Sequence, residues 1–316
     1  MEDRTVDVVT LGEAMLALRP SDDAPVSAAG CFVAGVAGSE SNVAVALARL
    51  NHRVAFTGRV GDDAAGLRVL RALRAEGVDV VGLRTDPAAP TGLLVRDAGG
   101  PRGSSVDYHR AGSAGSRLQA GDVDVAAVAA ARTLFVTGLT CGLSGSAASA
   151  VAIAVDAARR SGVAVCLDPN LRTKLGTSRD WEARVRPLLA STDVVVGSGT
   201  ELQVITATAD TEAATRALLA QGVRTVVVRS ERDPTLVVEV DGRLEVPFER
   251  VVPVDAVGAG DAFAGGFLSG LLDGVPLGDA IARAHAVARR CVLTMGDIEG
   301  LPTRAELANG ADEVTR

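Results

Sequence analysis

A single lysine, Lys174, stands against 31 arginines in this chain of 316 residues. The lysine-bearing phosphate loop G-x-x-x-x-G-K-[ST] is therefore missing, and a Schiff-base mechanism has no candidate but Lys174. The same bias makes any one arginine weak evidence of a site, because arginines occupy nearly every polar helix face. The four cysteines, Cys31, Cys141, Cys166 and Cys291, lie far apart and form no C-x-x-C pair, so free thiols are expected rather than disulfides or metal ligands. Three histidines are equally scattered, which argues against a His/Cys metal cluster. No uninterrupted apolar run reaches the roughly 20 residues of a membrane span. MEDRTVDVVT lacks the basic and apolar regions of a signal peptide, so a cytoplasmic location is expected. A net charge of −7 disfavours a general nucleic-acid binder.

What is present reads as a folded α/β chain, with 47% hydrophobic and 22% charged residues. VDVVTLG (6–12) predicts a strand, SESNVAVALARL (39–50) a helix capped by Ser39, RVAFTGRVG (53–61) a strand, and AAGLRVLRALRAEG (64–77) a helix stopped by Gly77. The pattern then breaks. TGLLVRD (91–97), a turn at GGPRG (99–103) and SSVDYHRAG (104–112) predict a β-hairpin with no helix between. Alternation returns in TLFVTGL (133–139), a helix near 144–161, VAVCLDPN (163–170), DVVVGS (193–198), a helix at 211–221 and RTVVVRS (224–230). A hairpin over 235–248 and helices near 260–273 and 276–295 follow. Such alternation predicts a mostly parallel sheet covered by helices on both faces, with ligands beyond the C-terminal strand ends. The early hairpin falls outside that pattern and is placed over the site as a small β lid.

VDAVGAGDAF (254–263) holds more than a helix start requires. Amides of Gly258, Ala259 and Gly260 at a helix N-terminus can receive a phosphate, and Asp261 beside them can take a proton from an attacking hydroxyl. The helix end would favour the ionised aspartate. A tight turn with an ordinary N-cap explains the same run equally well in isolation. In AGSESN (37–42), Gly38 lets a ligand approach and Asn42 can donate and accept hydrogen bonds. GRVGDDAAG (58–66) and DPN (168–170), with Arg172 two residues on, close strands.

Together A-G-x-x-x-N, G-x-V-G-x-D-x-x-G, D-P-N and D-x-x-G-A-G-D resemble the ribokinase-like, or pfkB-type, carbohydrate kinases nearly from end to end. GEAMLALRP (12–20), DYHRAGSAG (107–115) and GDIEGLPTRAEL (296–307) resemble the branch that phosphorylates 2-keto-3-deoxygluconate. The resemblance implies a three-layer α/β/α domain over residues 1–316, with a β lid from about 13–36 and 91–112. It also implies Mg²⁺ and ATP as phosphate donor, Asp261 as base, and Gly38, Asn42, Tyr108, Arg110 and Arg172 around the substrate. Asp297 resembles a substrate contact, although an exposed loop carboxylate reads the same way. In an extended strand Tyr108 and Arg110 share a face, and arginine suits a carboxylate.

On the nucleotide side the pattern departs from the family. Ser198 replaces an asparagine before Glu201, which the resemblance links to Mg²⁺ through water. RSERDPT (229–235) replaces a glycine-rich turn, leaving Arg229 beside the nucleotide, and Ala256 replaces a hydroxyl residue. Leu94 stands where that branch often has a second tyrosine, and Asn51 replaces a helix-end glycine that it can mimic. His285 is read either as flanking adenine or as a plain helix-surface histidine. A kinase for fructose, ribose or a nucleoside, and a non-catalytic sugar sensor, are the alternatives. An NAD-binding oxidoreductase is disfavoured because no G-x-G-x-x-G follows the first strand. An exposed lid edge suggests a homodimer.

Overall fold

The computed structural model describes residues 6–22, 24–97 and 106–309. The turn expected at 99–103 lies outside the described residues. Among the described residues there are thirteen strands: β1 (Val6–Leu11), β2 (Met15–Pro20), β3 (Phe32–Ala37), β4 (Val54–Gly61), β5 (Leu83–Asp86), β6 (Leu93–Arg96), β7 (Val106–His109), β8 (Ala131–Thr137), β9 (Ala164–Asp168), β10 (Val194–Ser198), β11 (Thr225–Arg229), β12 (Thr235–Glu239) and β13 (Gly242–Val246). The helices are α1 (Ser39–Arg49), α2 (Ala64–Ala75), α3 (Val125–Ala130), α4 (Gly138–Leu143), α5 (Gly145–Arg160), α6 (Ser178–Val185), α7 (Gly199–Thr206), α8 (Thr211–Ala220), α9 (Ala259–Asp273), α10 (Leu277–Val292) and α11 (Arg304–Asn309).

Nine strands form the main sheet in the order β13-β12-β11-β10-β9-β8-β1-β4-β5. The seven from β11 to β5 run parallel, and β12 and β13 add an antiparallel hairpin at one edge. A parallel sheet covered on both faces needs apolar side chains on both, which explains runs such as VVV in β10 and β11. One face packs through Val43, Leu47, Phe56, Phe135, Phe267 and Ile281, the other through Leu134, Val136, Val151, Leu167, Leu202 and Leu218. The sequence-predicted three-layer α/β/α fold is therefore the observed one.

A separate four-stranded sheet has the order β3-β2-β6-β7. Its β6 and β7 pair antiparallel, as the hairpin predicts, with Leu94 opposite Tyr108. Two details differ from the sequence reading. β8 stops at Thr137, because that residue caps α4 by accepting from the Thr140 amide. α1 is not capped by Ser39: Gly38, at φ 153°, is its N-cap and makes no side-chain bond, which frees the Ser39 hydroxyl. Asn51, at φ 64°, takes the left-handed conformation that ends α1.

Candidate active site

The C-terminal ends of β9 and β11, with residues of α1, α4 and α7, face one cavity of about 480 Å³, roofed by residues of β6 and β7 and floored by the start of α9. Gly258 is the N-cap of α9 at φ 82°, a conformation that suits glycine, and a Cβ there would lie 2.6 Å from the Asp297 carbonyl oxygen. The first intrahelical bond runs from the Ala262 amide to the Gly258 carbonyl, at 2.8 Å. The Gly260 and Asp261 amides precede it at the positive end of the helix. Ala259 differs from the expectation, since its N–H donates a long 3.4 Å turn bond to the Ala256 carbonyl.

Asp261 is buried beside these amides, and both its oxygens are held. Oδ1 accepts from the Ser39 hydroxyl at 2.6 Å, and Oδ2 accepts from Asn42 Nδ2 at 2.8 Å. Asn170 Nδ2 donates in turn to Ser39 Oγ at 2.6 Å. Asn170 adopts φ 40°, a left-handed value that asparagine tolerates. Asn42 is thus a partner of the aspartate rather than only a lining group. Burial pushes the Asp261 carboxyl above its ordinary value, opposed by the Ser39 and Asn42 hydrogen bonds and by the charges of Arg172 and Arg229. The expected bias of the helix end toward the ionised form is outweighed by that desolvation.

On the roof and rim, Gly38, Tyr108, Arg110, Arg172 and Asp297 all line the cavity. Tyr108 is 39% exposed, and the Arg110 guanidinium lies 5.4 Å from its ring centre. Arg110 is already paired: its Nε donates to Glu13 Oε2 at 2.7 Å, while Ser113 donates to the other Glu13 oxygen. Arg172 is exposed and, among the described residues, makes no ion pair. It is therefore the more available cation for an anionic ligand.

Asp297 is 7% exposed, so the reading as an exposed loop carboxylate fails. Burial pushes its carboxyl up to about 7, with Arg96 acting in the opposite direction. Arg96 on β6 lies 2.7 Å from Asp255 and 3.4 Å from Asp297. It ties the small sheet to the loop that precedes α9. Sequence reasoning missed Arg96, although it shares a strand face with Leu94, two residues earlier. Glu13, Asp168 and Asn170 stand within the motifs, whose spacing assigns them no partner, and Ser39 reads from the sequence only as a helix cap.

The other end of the cavity is lined by Asp168, Glu201 and Arg229. Arg229 Nη2 lies 3.0 Å from Asp168 Oδ2 and 3.8 Å from Glu201 Oε2, and Nη1 donates to the Gly260 carbonyl at 3.0 Å. Burial pushes the Asp168 carboxyl up to about 7, against the opposing charge of Arg229. Ser198 does not line this cavity. It is the N-cap of α7, bonded through its amide and hydroxyl to Glu201 Oε2, both at 2.8 Å. Glu201 Oε1 accepts from the Leu171 amide at 3.0 Å. His285 also lies outside the cavity lining. Its ring centre is 4.9 Å from that of Phe248 and 5.4 Å from that of Phe263, and Nε2 shares a 2.8 Å hydrogen bond with Thr235. Packing accounts for that histidine without a ligand.

A buried carboxylate at a helix N-terminus, open to a polar cavity at the C-terminal edge of a parallel sheet, is the arrangement of a small-molecule phosphotransferase. The chain belongs to the pfkB family of carbohydrate kinases, whose sequence profile matches residues 6–304. It is 34% identical over 303 residues to a 2-dehydro-3-deoxygluconokinase of Thermoproteus tenax, covering 95% of this chain and 93% of the relative. It is 32% identical over 309 residues to a 2-dehydro-3-deoxygluconokinase of Bacillus subtilis, covering 96% and 95%. The crystal structure of a 2-dehydro-3-deoxygluconokinase from Thermotoga maritima superposes with a TM-score of 0.90 at 25% identity, covering 97% of this chain and 98% of that one.

Proposed function

We propose that the protein transfers the γ-phosphate of ATP to a primary hydroxyl of a keto-sugar acid, 2-keto-3-deoxygluconate being the favoured acceptor. The observation that carries this reading is Asp261, held by Ser39 and Asn42 beside the Gly260 and Asp261 amides in the cavity that Arg172 and Tyr108 border. The relatives named 2-dehydro-3-deoxygluconokinase support the choice of acceptor.

The acceptor hydroxyl lies against Asp261, and its oxygen attacks the γ-phosphorus as the bond to the bridging oxygen breaks. The proton passes to a carboxylate oxygen of Asp261; the leaving group is ADP. Raised by burial, Asp261 is a better base than a solvated carboxylate. The Gly260 and Asp261 amides, with Gly258 setting the turn, stabilise charge on the transferring phosphoryl group, where one such donor contributes about 3–4 kcal/mol. Arg172 holds the acceptor's carboxylate, and Tyr108, Arg110, Gly38 and Asp297 shape its hydroxyl contacts. The β2-β3-β6-β7 sheet serves as the lid of a single domain.

Among the described residues no group of three His, Cys, Asp or Glu side chains is placed to hold a metal ion. A resident metal centre does not fit. Glu201 Oε1, with one hydrogen bond on it, suits Mg²⁺ that arrives on nucleotide phosphates and is held through water. When bound, that ion supplies charge neutralisation across the phosphates. A cytoplasmic location accords with the buried free thiols of Cys141, Cys166 and Cys291.

The test is a phosphoryl-transfer panel on wild type and Asp261→Ala, with 2-keto-3-deoxygluconate, fructose, ribose and a nucleoside as acceptors. The expected result is preference for the keto acid and a loss of about 10²–10⁴ in kcat for the variant. A neutral sugar turned over far better would remove the acid-binding role of Arg172. Sugar binding without ATP binding would make the protein a sensor.

A further inference from the structure

β11 delivers Arg229 to the sheet edge beside Ser198 of β10, its register partner, so that the guanidinium enters the cleft between the ends of β9, β10 and α9. Asp168 and Glu201 flank it there, and the Gly260 carbonyl accepts its Nη1–H. A Cβ on Gly260 would lie 2.9 Å from Nη1, so the first turn of α9 is open on the side where the arginine approaches. Ser198, folded back onto Glu201 by its capping bonds, leaves that cleft to the arginine. The hydrogen bonds to Asp168 and Gly260 use only part of the guanidinium's donor set, and its side chain, 18% exposed, borders the cavity. A fixed cation thus stands at the first turn of α9, bonded to the Gly260 carbonyl and bordering the cavity.

We propose that Arg229 is a catalytic residue whose guanidinium bridges Asp168 and the transferring phosphoryl group, taking over part of the charge neutralisation otherwise left to a divalent cation. The proposal rests on the kinase reading above. Arginine suits this place because its planar fork can hold a carboxylate on one edge and a phosphate on another. The cation belongs to the chain, so it offers nucleotide phosphates compensating charge whether or not a metal ion accompanies them. ATP binding should therefore persist without metal.

Calorimetric titration of ATP into wild type, Arg229→Gln and the double variant Arg229→Gln/Asp168→Asn, each in EDTA and in Mg²⁺, tests this. Thermal unfolding accompanies each titration, because the single variant leaves Asp168 buried without its cation. The expected result is ATP binding by wild type in EDTA, weakened about 10–100-fold in Arg229→Gln, the loss of a charged hydrogen bond. The double variant should recover thermal stability without recovering metal-free binding. Recovery of that binding as well would reduce Arg229 to a structural partner of Asp168 and overturn the proposal. Binding by wild type only in Mg²⁺ would overturn it while leaving the kinase reading intact; no ATP binding in either condition would sink both.

Discussion

Glu40 shows how much a single residue can hide. It occupies the first turn of α1, where an acid ordinarily complements the helix dipole from the surface. Here it is fully buried, its Oε1 accepts from Thr137 at 2.5 Å and from Thr140, and its Oε2 has no hydrogen-bond partner. Burial pushes its carboxyl from 4.5 up to about 7, against the two threonine bonds. Between these values the folded chain binds the proton and the unfolded chain releases it. Stability should therefore fall as pH rises through that window and level off above about 7. The interval corresponds to about 3 kcal/mol at most. Glu40→Gln keeps an acceptor for the threonines and cannot ionise, and Asp168, Asp261 and Asp297, also raised, are present in both proteins. Urea unfolding at pH 5 and pH 8 should show wild type losing stability relative to Glu40→Gln. Equal changes in both would mean that Glu40 is not a buried acid. Nothing in the spacing of AGSESN distinguishes this residue from a surface helix acid, which is why its burial was not legible.

At the scale of elements, α9 holds the site in place through close packing. A Cβ on Gly265 would meet Ala46 Cβ of α1 at 2.6 Å, one on Gly266 would meet Ala284 Cα of α10 at 2.8 Å, and one on Gly270 would meet Ala280 Cβ at 2.5 Å. Gly266 and Gly270, four residues apart, present one face to α10. From the sequence, AGGFLSGLL reads as an apolar helix, but its glycines read only as weak helix formers. Their use depends on what α1 and α10 bring against them, which local pattern does not encode. Gly270→Val should destabilise the fold by about 1–3 kcal/mol through overpacking, and should lower kcat/KM as the first turn of α9 shifts. Gly145→Ala, at the open start of α5, is the control and should leave the unfolding midpoint nearly unchanged. A Gly270→Val midpoint equal to wild type would show that α9 and α10 can separate freely.

The whole molecule was legible where hydrophobic period and turn chemistry agreed, as in the alternation from β8 to β11. The short edge strand β5 and the strands β2 and β3 are not separable from the sequence pattern alone: β5 has four residues, and β2, besides pairing with β3, sits in its sheet through the distant β6. The two sheets differ in what their edges offer the expected homodimer. β13, at the edge of the main sheet, carries exposed Arg243 and Glu245, charges that discourage pairing with another chain. β3, at the edge of the small sheet, instead carries Phe32 and Val33 at 41% and 39% exposure. A second copy of the chain docked there would cover these side chains and brace the lid. Sedimentation equilibrium should give twice the 32.1 kDa chain mass, and Phe32→Glu should give the monomer with a raised KM for the sugar acid. Because Phe32 does not line the cavity, a raised KM in a monomeric variant would act through lid support rather than substrate contact. A wild-type protein that sediments as a monomer would leave β3 an unpaired edge and remove the dimer.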